Sequence, residues 1–344
     1  MSTLHRRSPT DARPDSTPAA ETAGAARLRV VAPPAPPRVH PLVALAVWLG
    51  LVAIWGSTWL AIKVGLRDLP PISFAGIRFA IAAAVVYGVI ALRRVRLPWA
   101  RRDWRLLSYT GFLTITVNYA LVFWGEQCIS SGLAALLNAT TPLFGLPLAH
   151  RYLASEPLTR RKLAGVLLGL AGVLMVFGVE LGGSGPLAFW ASAGILLASL
   201  AGAQAGVLIK ARGTHIDPAV LAGVQMAAGC VPLLVGGIAL EGNPLRFHWT
   251  PVAVGALVYL ALVGSVIAFL AYYWLIQHTE VTRVLLIPLV TPLIAVLLGV
   301  TFLGEEMGWG TVGGGAAILA GVGMVVVGSG KGQVAREKWV ASGK

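Results

Sequence analysis

Charged side chains are scarce in this 344-residue chain. Lys, Arg, Asp and Glu together make up 12% of it, where an ordinary soluble domain carries roughly 25%. The few charges gather in the first forty residues, in short connecting stretches and at the C-terminus. Between them lie apolar blocks of about twenty residues, each long enough to cross the hydrocarbon core of a bilayer. With 56% hydrophobic residues and a mean hydropathy of +0.77, a water-soluble fold is excluded.

Carboxylates are scarcer still where they would matter. Asp11, Asp15, Asp68, Asp103 and Asp217 all fall outside the apolar blocks, and no glutamate lies at the middle of one. Intramembrane aspartyl proteolysis and metal-dependent prenyl or phosphatidyl transfer need carboxylates that are missing here. Ser265 and His278 lack the spacing and glycine context of a serine hydrolase. Two cysteines, Cys128 and Cys230, cannot build a disulfide framework or a four-ligand metal site. His5, His40, His150, His215, His248 and His278 show no metal spacing, so neither metal nor cofactor is expected. Gly308-Trp-Gly310-Thr-Val-Gly313 matches the dinucleotide fingerprint in letters only, because it joins two apolar blocks and follows no strand. The net charge of +13 is scattered over loops of both halves and forms no nucleic-acid patch.

The first forty residues hold Arg6, Arg7, Arg13, Arg27, Arg29 and Arg38 and the run Pro33-Pro34-Ala35-Pro36-Pro37, a composition that buries no core and predicts a disordered tail. The first apolar block starts only at Leu42 and is followed by many more, so it reads as a retained helix and not a cleaved leader. Apolar length and loop breakers predict ten spans near 42–62, 71–92, 105–125, 131–151, 162–179, 187–207, 218–239, 253–276, 282–303 and 311–328. With the N-terminus inside, alternate loops place 23 of the 27 basic residues on the inner side. Lys63, Arg67 and Arg246 then lie outside and Arg78 within the second span, as the positive-inside rule requires.

The two halves repeat each other. Ile62-Lys63 and Pro71 recur as Ile209-Lys210 and Pro218, 147 residues on. Trp124, Gln127 and Thr141-Pro142 recur as Trp274, Gln277 and Thr291-Pro292, 150 residues on, and Glu156 recurs as Glu305. Five spans per copy is an odd number, so the second copy must cross the membrane upside down. Inverted repeats are a transporter architecture. The fold class expected is therefore an all-α membrane protein of ten transmembrane helices in two inverted five-helix repeats. Its parts are a cytoplasmic tail at 1–40, repeats at 41–180 and 186–329, and a cytoplasmic tail at 330–344.

The stretch Trp55-Gly-Ser-Thr-Trp-Leu-Ala-Ile-Lys63, then Phe74-Ala-Gly-Ile-Arg78-Phe79, then Gly132-Leu-Ala-Ala-Leu-Leu-Asn138 with Thr141-Pro142, Glu156 and Leu163 to Met175 resembles the EamA family of the drug/metabolite transporter superfamily. Thr282 to Met324 is similar to the end of the family's second repeat. The resemblance covers about residues 42–328. It implies a secondary transporter of the inner or plasma membrane, commonly an exporter of amino acids or other small metabolites, with a central cavity between the repeats. A channel or a non-transporting membrane scaffold is the alternative reading, and an intramembrane enzyme a remote one. Partners expected are a small-molecule solute, the lipid bilayer and a second copy in a homodimer.

Arg78 lies seven residues into its span, about 10 Å below the outer boundary at ~1.5 Å per residue. A guanidinium in hydrocarbon needs a partner or water, so Arg78 is a candidate to face the cavity and attract an anionic group, pairing with Glu126 when the cavity is empty. Structural anchoring of helices is its competing role, and Gln225 stands where the second copy would repeat it. Trp55, Asn118, Asn138, Thr141, Gln204, Tyr272 and Thr291 complete the cavity candidates; helix-to-helix hydrogen bonding is the plainer role for the polar ones. Pro142 and Pro292 are gating candidates because a proline frees a carbonyl one turn back and bends its helix. Glu126, the acid nearest the membrane interior, is the candidate for coupling. Gly165-x-x-x-Gly169 and Gly202-x-x-x-Gly206 predict close helix contacts.

Overall fold

The computed structural model describes residues 39–129, 131–153, 155–177, 186–294 and 312–325. The tails expected at 1–40 and 330–344, apart from Val39 and His40, lie outside the described residues, as do Glu305 and residues 308–311 of the glycine-rich match. Within them the helices are α1 (Pro41–Gly65), α2 (Pro71–Leu92), α3 (Arg101–Cys128), α4 (Ser131–Asn138), α5 (Thr141–Tyr152) and α6 (Arg160–Phe177). There follow α7 (Pro186–Arg212), α8 (Pro218–Glu241), α9 (Pro251–His278), α10 (Val281–Ile294) and α11 (Val312–Val325). The described residues contain no strand. Six helices, α1, α2, α3, α7, α8 and α9, are long and apolar enough to cross a membrane, and α10 and α11 are shorter apolar helices.

Proline sets several of the starts. Pro41, Pro71, Pro218 and Pro251 each stand at the first position of a helix, where the missing N–H has no intrahelical partner to lose. Side chains then take up neighbouring orphan donors. Asp217 accepts from Ala219 N–H at 2.8 Å, Thr250 Oγ1 accepts from Ala253 N–H at 3.1 Å, and Glu241 accepts from Ile72 and Ser73 N–H at 2.8 and 2.7 Å. Large apolar side chains remain outside in stripes of helical spacing, Leu42, Leu45 and Leu49 on α1 and Val231, Val235 and Ile238 on α8. Such faces suit hydrocarbon and not water.

The structure departs from the expected fourth and ninth spans. In place of a continuous helix over 131–151, α4 ends at Asn138 and α5 begins at Thr141, and α10 is interrupted by a turn at Leu285–Leu286. Both long helices α3 and α9 also carry a wider π-helical segment, Phe112–Val117 and Leu262–Ile267, at positions 150 residues apart. Neither feature has a periodicity signature in the sequence.

Matched hydrogen bonds run through the two-repeat architecture. Lys63 Nζ donates to the Glu126 carbonyl at 2.9 Å, and Lys210 Nζ donates to the Ile276 carbonyl at 2.5 Å. Thr141 Oγ1 donates to Asn138 O at 2.6 Å, and Thr291 Oγ1 to Pro288 O at 3.1 Å. The lysines therefore cap the ends of α3 and α9 instead of reaching toward solvent. The repeats pack on each other through small residues. A Cβ on Gly76 would lie 3.1 Å from the Leu234 amide, joining α2 to α8, and one on Gly111 would lie 2.8 Å from Gln225 Cα, joining α3 to α8. On α6, a Cβ at Gly165 would meet Gly321 O at 2.7 Å, and on α11 one at Gly321 would meet Gly165 O at 2.4 Å.

Gly165→Leu is expected to destabilise the folded protein by about 1–3 kcal/mol by forcing α6 off α11. Gly50→Leu, where nothing lies within 4 Å, should leave thermal unfolding of the purified protein unchanged. Equal melting curves for the two variants would refute this packing.

Candidate functional site

A cavity of about 120 Å³ lies where helices of both repeats meet. That is small for a ligand site and suits a small solute. Helix α1 presents Trp55, Thr58, Trp59 and Ile62 to it, and α3 presents Thr114, Asn118, Tyr119 and Val122 around its π-helical segment. The break between α4 and α5 contributes Asn138 and Thr141. From the second repeat come Gly202 on α7, Phe269 and Tyr272 on α9, and Val284, Leu285, Pro288 and Thr291 around the interruption of α10. Thus both helix breaks and one π-helical segment border the same space, which is where non-helical backbone is tolerated at membrane depth.

The wall is rich in aromatic rings and carries no charged side chain among the described residues. Trp55 packs on Tyr272 and Phe269 with ring centroids 5.4 and 5.9 Å apart, and Phe269 on Tyr272 at 6.2 Å. Much of its polar capacity is already committed: Thr58, Thr141 and Thr291 donate to carbonyls of their own segments, and Asn118 Nδ2 donates to Ala198 O at 2.8 Å. Trp55 Nε1 is buried without a hydrogen-bond partner among the described residues.

Of the residues singled out from sequence, Trp55, Asn118, Asn138, Thr141, Tyr272 and Thr291 lie on this wall. Gln204 does not; its Nε2 donates to the Tyr109 hydroxyl at 3.1 Å. Arg78 does not either. It is 1% exposed, Nε donates to Ser265 Oγ at 2.8 Å and Nη2 to Gly264 O at 3.1 Å. Its Cζ sits 4.9 Å from the rings of Phe79 and Tyr119 and 5.9 Å from that of Phe123. Cation–π contact and two directed bonds across the repeats offset the cost of burying this charge. Tyr119 separates the guanidinium from the cavity that it was expected to face.

The expected Arg78–Glu126 ion pair is not formed: Arg78 Nη1 and both carboxylate oxygens of Glu126 have no hydrogen-bond partner among the described residues. Pro142 also differs from its expected role as a kink. It stands in the first turn of α5, directly after the break, and the Asn138 carbonyl it would have orphaned accepts from Thr141. Pro292 lies within the second half of α10, four residues after Pro288, whose carbonyl accepts from Thr291. Sequence reasoning missed Thr58, Thr114, Tyr119, Val122, Phe269, Val284, Leu285 and Pro288 as cavity residues. Apolar and threonine side chains inside a span carry no mark of which face they take.

Comparison with known proteins gives a consistent result. The family described as the EamA-like transporter family matches residues 42–178 and 189–327. The chain is 27% identical to the uncharacterized transporter YoaV of Bacillus subtilis, over 80% of this chain and 95% of that one. It is 33% identical to the uncharacterized inner membrane transporter YedA of Escherichia coli K12, over 75% of this chain and 82% of that one. A probable amino-acid metabolite efflux pump of Salmonella typhimurium is 28% identical over 79% of this chain and 91% of its own length. One crystal structure superposes with a TM-score of 0.70 at 20% identity, covering 84% of this chain and 98% of the other, which bears on the fold alone.

Removing the hydroxyl in Ser265→Ala takes away the acceptor of Arg78 Nε and should cost about 1–3 kcal/mol. The expected readout is a lower melting temperature than for Ser108→Ala, whose side chain is exposed on α3. Identical melting of the two would mean that Arg78 has an equivalent partner.

Proposed function

This chain belongs to the EamA-like transporter family, and we propose that it is a ten-helix secondary transporter of the inner membrane that exports amino acids or related small metabolites. In this reading the repeats, 41–180 and 186–329, are inverted relative to each other and both tails are cytoplasmic. The half-helices α4 and α5 form the fourth span, and α10 and α11 belong to the ninth and tenth. The solute binds in the central cavity, and exchange of conformation between the repeats exposes it to each side in turn.

The observation that carries this reading is the position of the cavity, walled by α1, α3, α4 and α5 of one repeat and by α7, α9 and α10 of the other. A site built from both repeats changes shape whenever one moves against the other. A wall rich in aromatic rings and, among the described residues, free of charged side chains suits a neutral or zwitterionic solute with an apolar portion. The efflux-pump description of the Salmonella relative supports outward transport and the amino-acid class. Trp55, Asn118, Asn138, Thr141, Tyr272 and Thr291 are proposed to contact solute, with Arg78 acting through Tyr119; Gln204, bonded to the exposed Tyr109, is proposed to take no direct part. The α4–α5 break at Pro142 and the second half of α10 around Pro292 are proposed as the gating points.

The test is untargeted mass spectrometry of medium and cell extract from cells overexpressing the protein, matched for membrane-inserted amounts. Wild type should raise one metabolite class in the medium. Tyr272→Ala should cut that rise about tenfold, equivalent to ~1.4 kcal/mol of lost contact. Pro142→Ala with Pro292→Ala should slow the initial rate of export without changing which metabolite appears. If no pool responds to the wild type, export is wrong; if Tyr272→Ala matches the wild type, the solute does not use this cavity.

A further inference from the structure

Glu126 lies on α3 two residues before its end, is 0% exposed, and neither of its oxygens has a hydrogen-bond partner among the described residues. Phe123, one turn below it on the same helix, lies 5.9 Å from the Arg78 guanidinium. The one unsatisfied donor of Arg78, Nη1, therefore occupies the same buried compartment between α2 and α3 as the unsatisfied acid. Other charged groups around it are few. Lys63 from α1 places its ammonium on the Glu126 backbone carbonyl at 2.9 Å, and Arg78 is the charge contributed by α2. Helix α4 has no charged residue. Helix α7 packs its Ala191 and Ile195 against Gly125 and carries its charges, Lys210 and Arg212, at the opposite end.

An ionised carboxylate with no hydrogen bond in such a place costs several kcal/mol, and the cost disappears when it takes up a proton. We propose that Glu126 is a proton-binding site, and that the presence of the proton decides which partner Arg78 holds. With the proton on Glu126 the carboxylic acid is neutral, and Arg78 stays tied to Gly264 and Ser265 in the π-helical segment of α9, as observed. When the proton leaves to water at the near end of α3, the carboxylate becomes a charged acceptor for Nη1. A charge-assisted pair of that kind competes with the neutral hydroxyl and carbonyl acceptors on α9. Drawing Arg78 away releases α9 four residues before Phe269, which lines the cavity together with Tyr272.

The proton site thus lies outside the cavity wall and acts on it through one cross-repeat contact. That is an arrangement by which a proton gradient can bias the two conformations of a carrier. The coupling step rests on the transport reading above; the proton site does not.

Infrared difference spectra of the purified full-length protein in lipid nanodiscs, titrated across the pH range in which it stays folded, separate the two. Wild type should show a reversible protonated-carboxyl band that is lost in Glu126→Gln, displaced in Glu126→Asp and altered in position in Arg78→Gln. A titrating carboxyl spectrum that is the same in wild type and Glu126→Gln, or in wild type and Glu126→Asp should the glutamine variant misfold, overturns the proton site. A band that ignores Arg78→Gln overturns the switch of partners. In cells, the outside-to-inside ratio of the exported pool should fall to that of vector-only cells when a protonophore is added to wild type, and a ratio indifferent to the protonophore overturns the coupling. Should no pool respond to the wild type at all, export fails as a reading while the infrared band still decides the proton site.

Discussion

Every backbone N–H and C=O that enters hydrocarbon must find a partner inside the protein, and most of the polar chemistry in this apolar chain answers that requirement at helix ends. Glu241 closes the start of α2 by accepting from Ile72 and Ser73. Glu156, 3% exposed, closes the start of α10 by accepting from Val281 N–H, Thr282 N–H and the Thr282 hydroxyl at 2.7, 2.9 and 2.6 Å. A carboxylate at a helix N-terminus also meets the positive end of the helix dipole, so both charges are stabilised where they stand. Each ties one repeat to the other: Glu156 follows α5 and caps α10, and Glu241 ends α8 and caps α2. The lysines do the complementary work at C-terminal ends, Lys63 on α3 and Lys210 on α9. The breaks between α4 and α5 and within α10 adjoin the cavity, and threonine hydroxyls take up the Asn138 and Pro288 carbonyls that Pro142 and Pro292 leave without an N–H partner.

The same requirement shows why two repeats with matched hydrogen bonds are unequal at one position. Arg78 on α2 binds the π-helical segment of α9, while Gln225, 147 residues later on α8, donates to Thr110 Oγ1 at 2.8 Å and accepts from the Tyr273 hydroxyl. Both side chains fasten the second helix of one repeat to the long helix of the other, close to its π-helical segment. Only one of them is charged. An amide satisfied on both sides is a static fastening, whereas a guanidinium with a spare donor beside an unpaired acid has a second partner available.

Span positions were legible from the sequence because they depend on apolar length and on where proline and charge interrupt it. Helix α2 begins and ends at the residues expected, and α1, α7, α8 and α9 differ by a few residues at their ends. The repeat was legible because the residues that satisfy helix ends, such as Lys63 and Lys210 or Thr141 and Thr291, must recur wherever the geometry recurs. The interruptions and π-helical segments were not legible. No residue pattern distinguishes Phe112–Val117 from the rest of an apolar helix, and Leu285–Leu286 is as apolar as its flanks. Among candidate site residues, depth singled out Trp55 and Tyr272, and polarity within or near a span singled out Asn118, Asn138, Thr141 and Thr291; the structure has all six on the cavity wall. Depth misled for Arg78, since distance from the membrane surface does not say whether Tyr119 stands between a side chain and the cavity.

That intervening ring changes what Arg78 can do. Facing the cavity directly, a guanidinium would select anions by pairing with them, and it would have to be desolvated afresh in each conformation. Behind Tyr119 and among Phe79 and Phe123, its charge stays dry and contributes a positive field without a contact. The cavity wall keeps aromatic faces with amide and hydroxyl groups among them and, among the described residues, no charged side chain. The charge and its directional hydrogen bonds thus sit one layer behind the wall, tying α2 to the π-helical segment of α9.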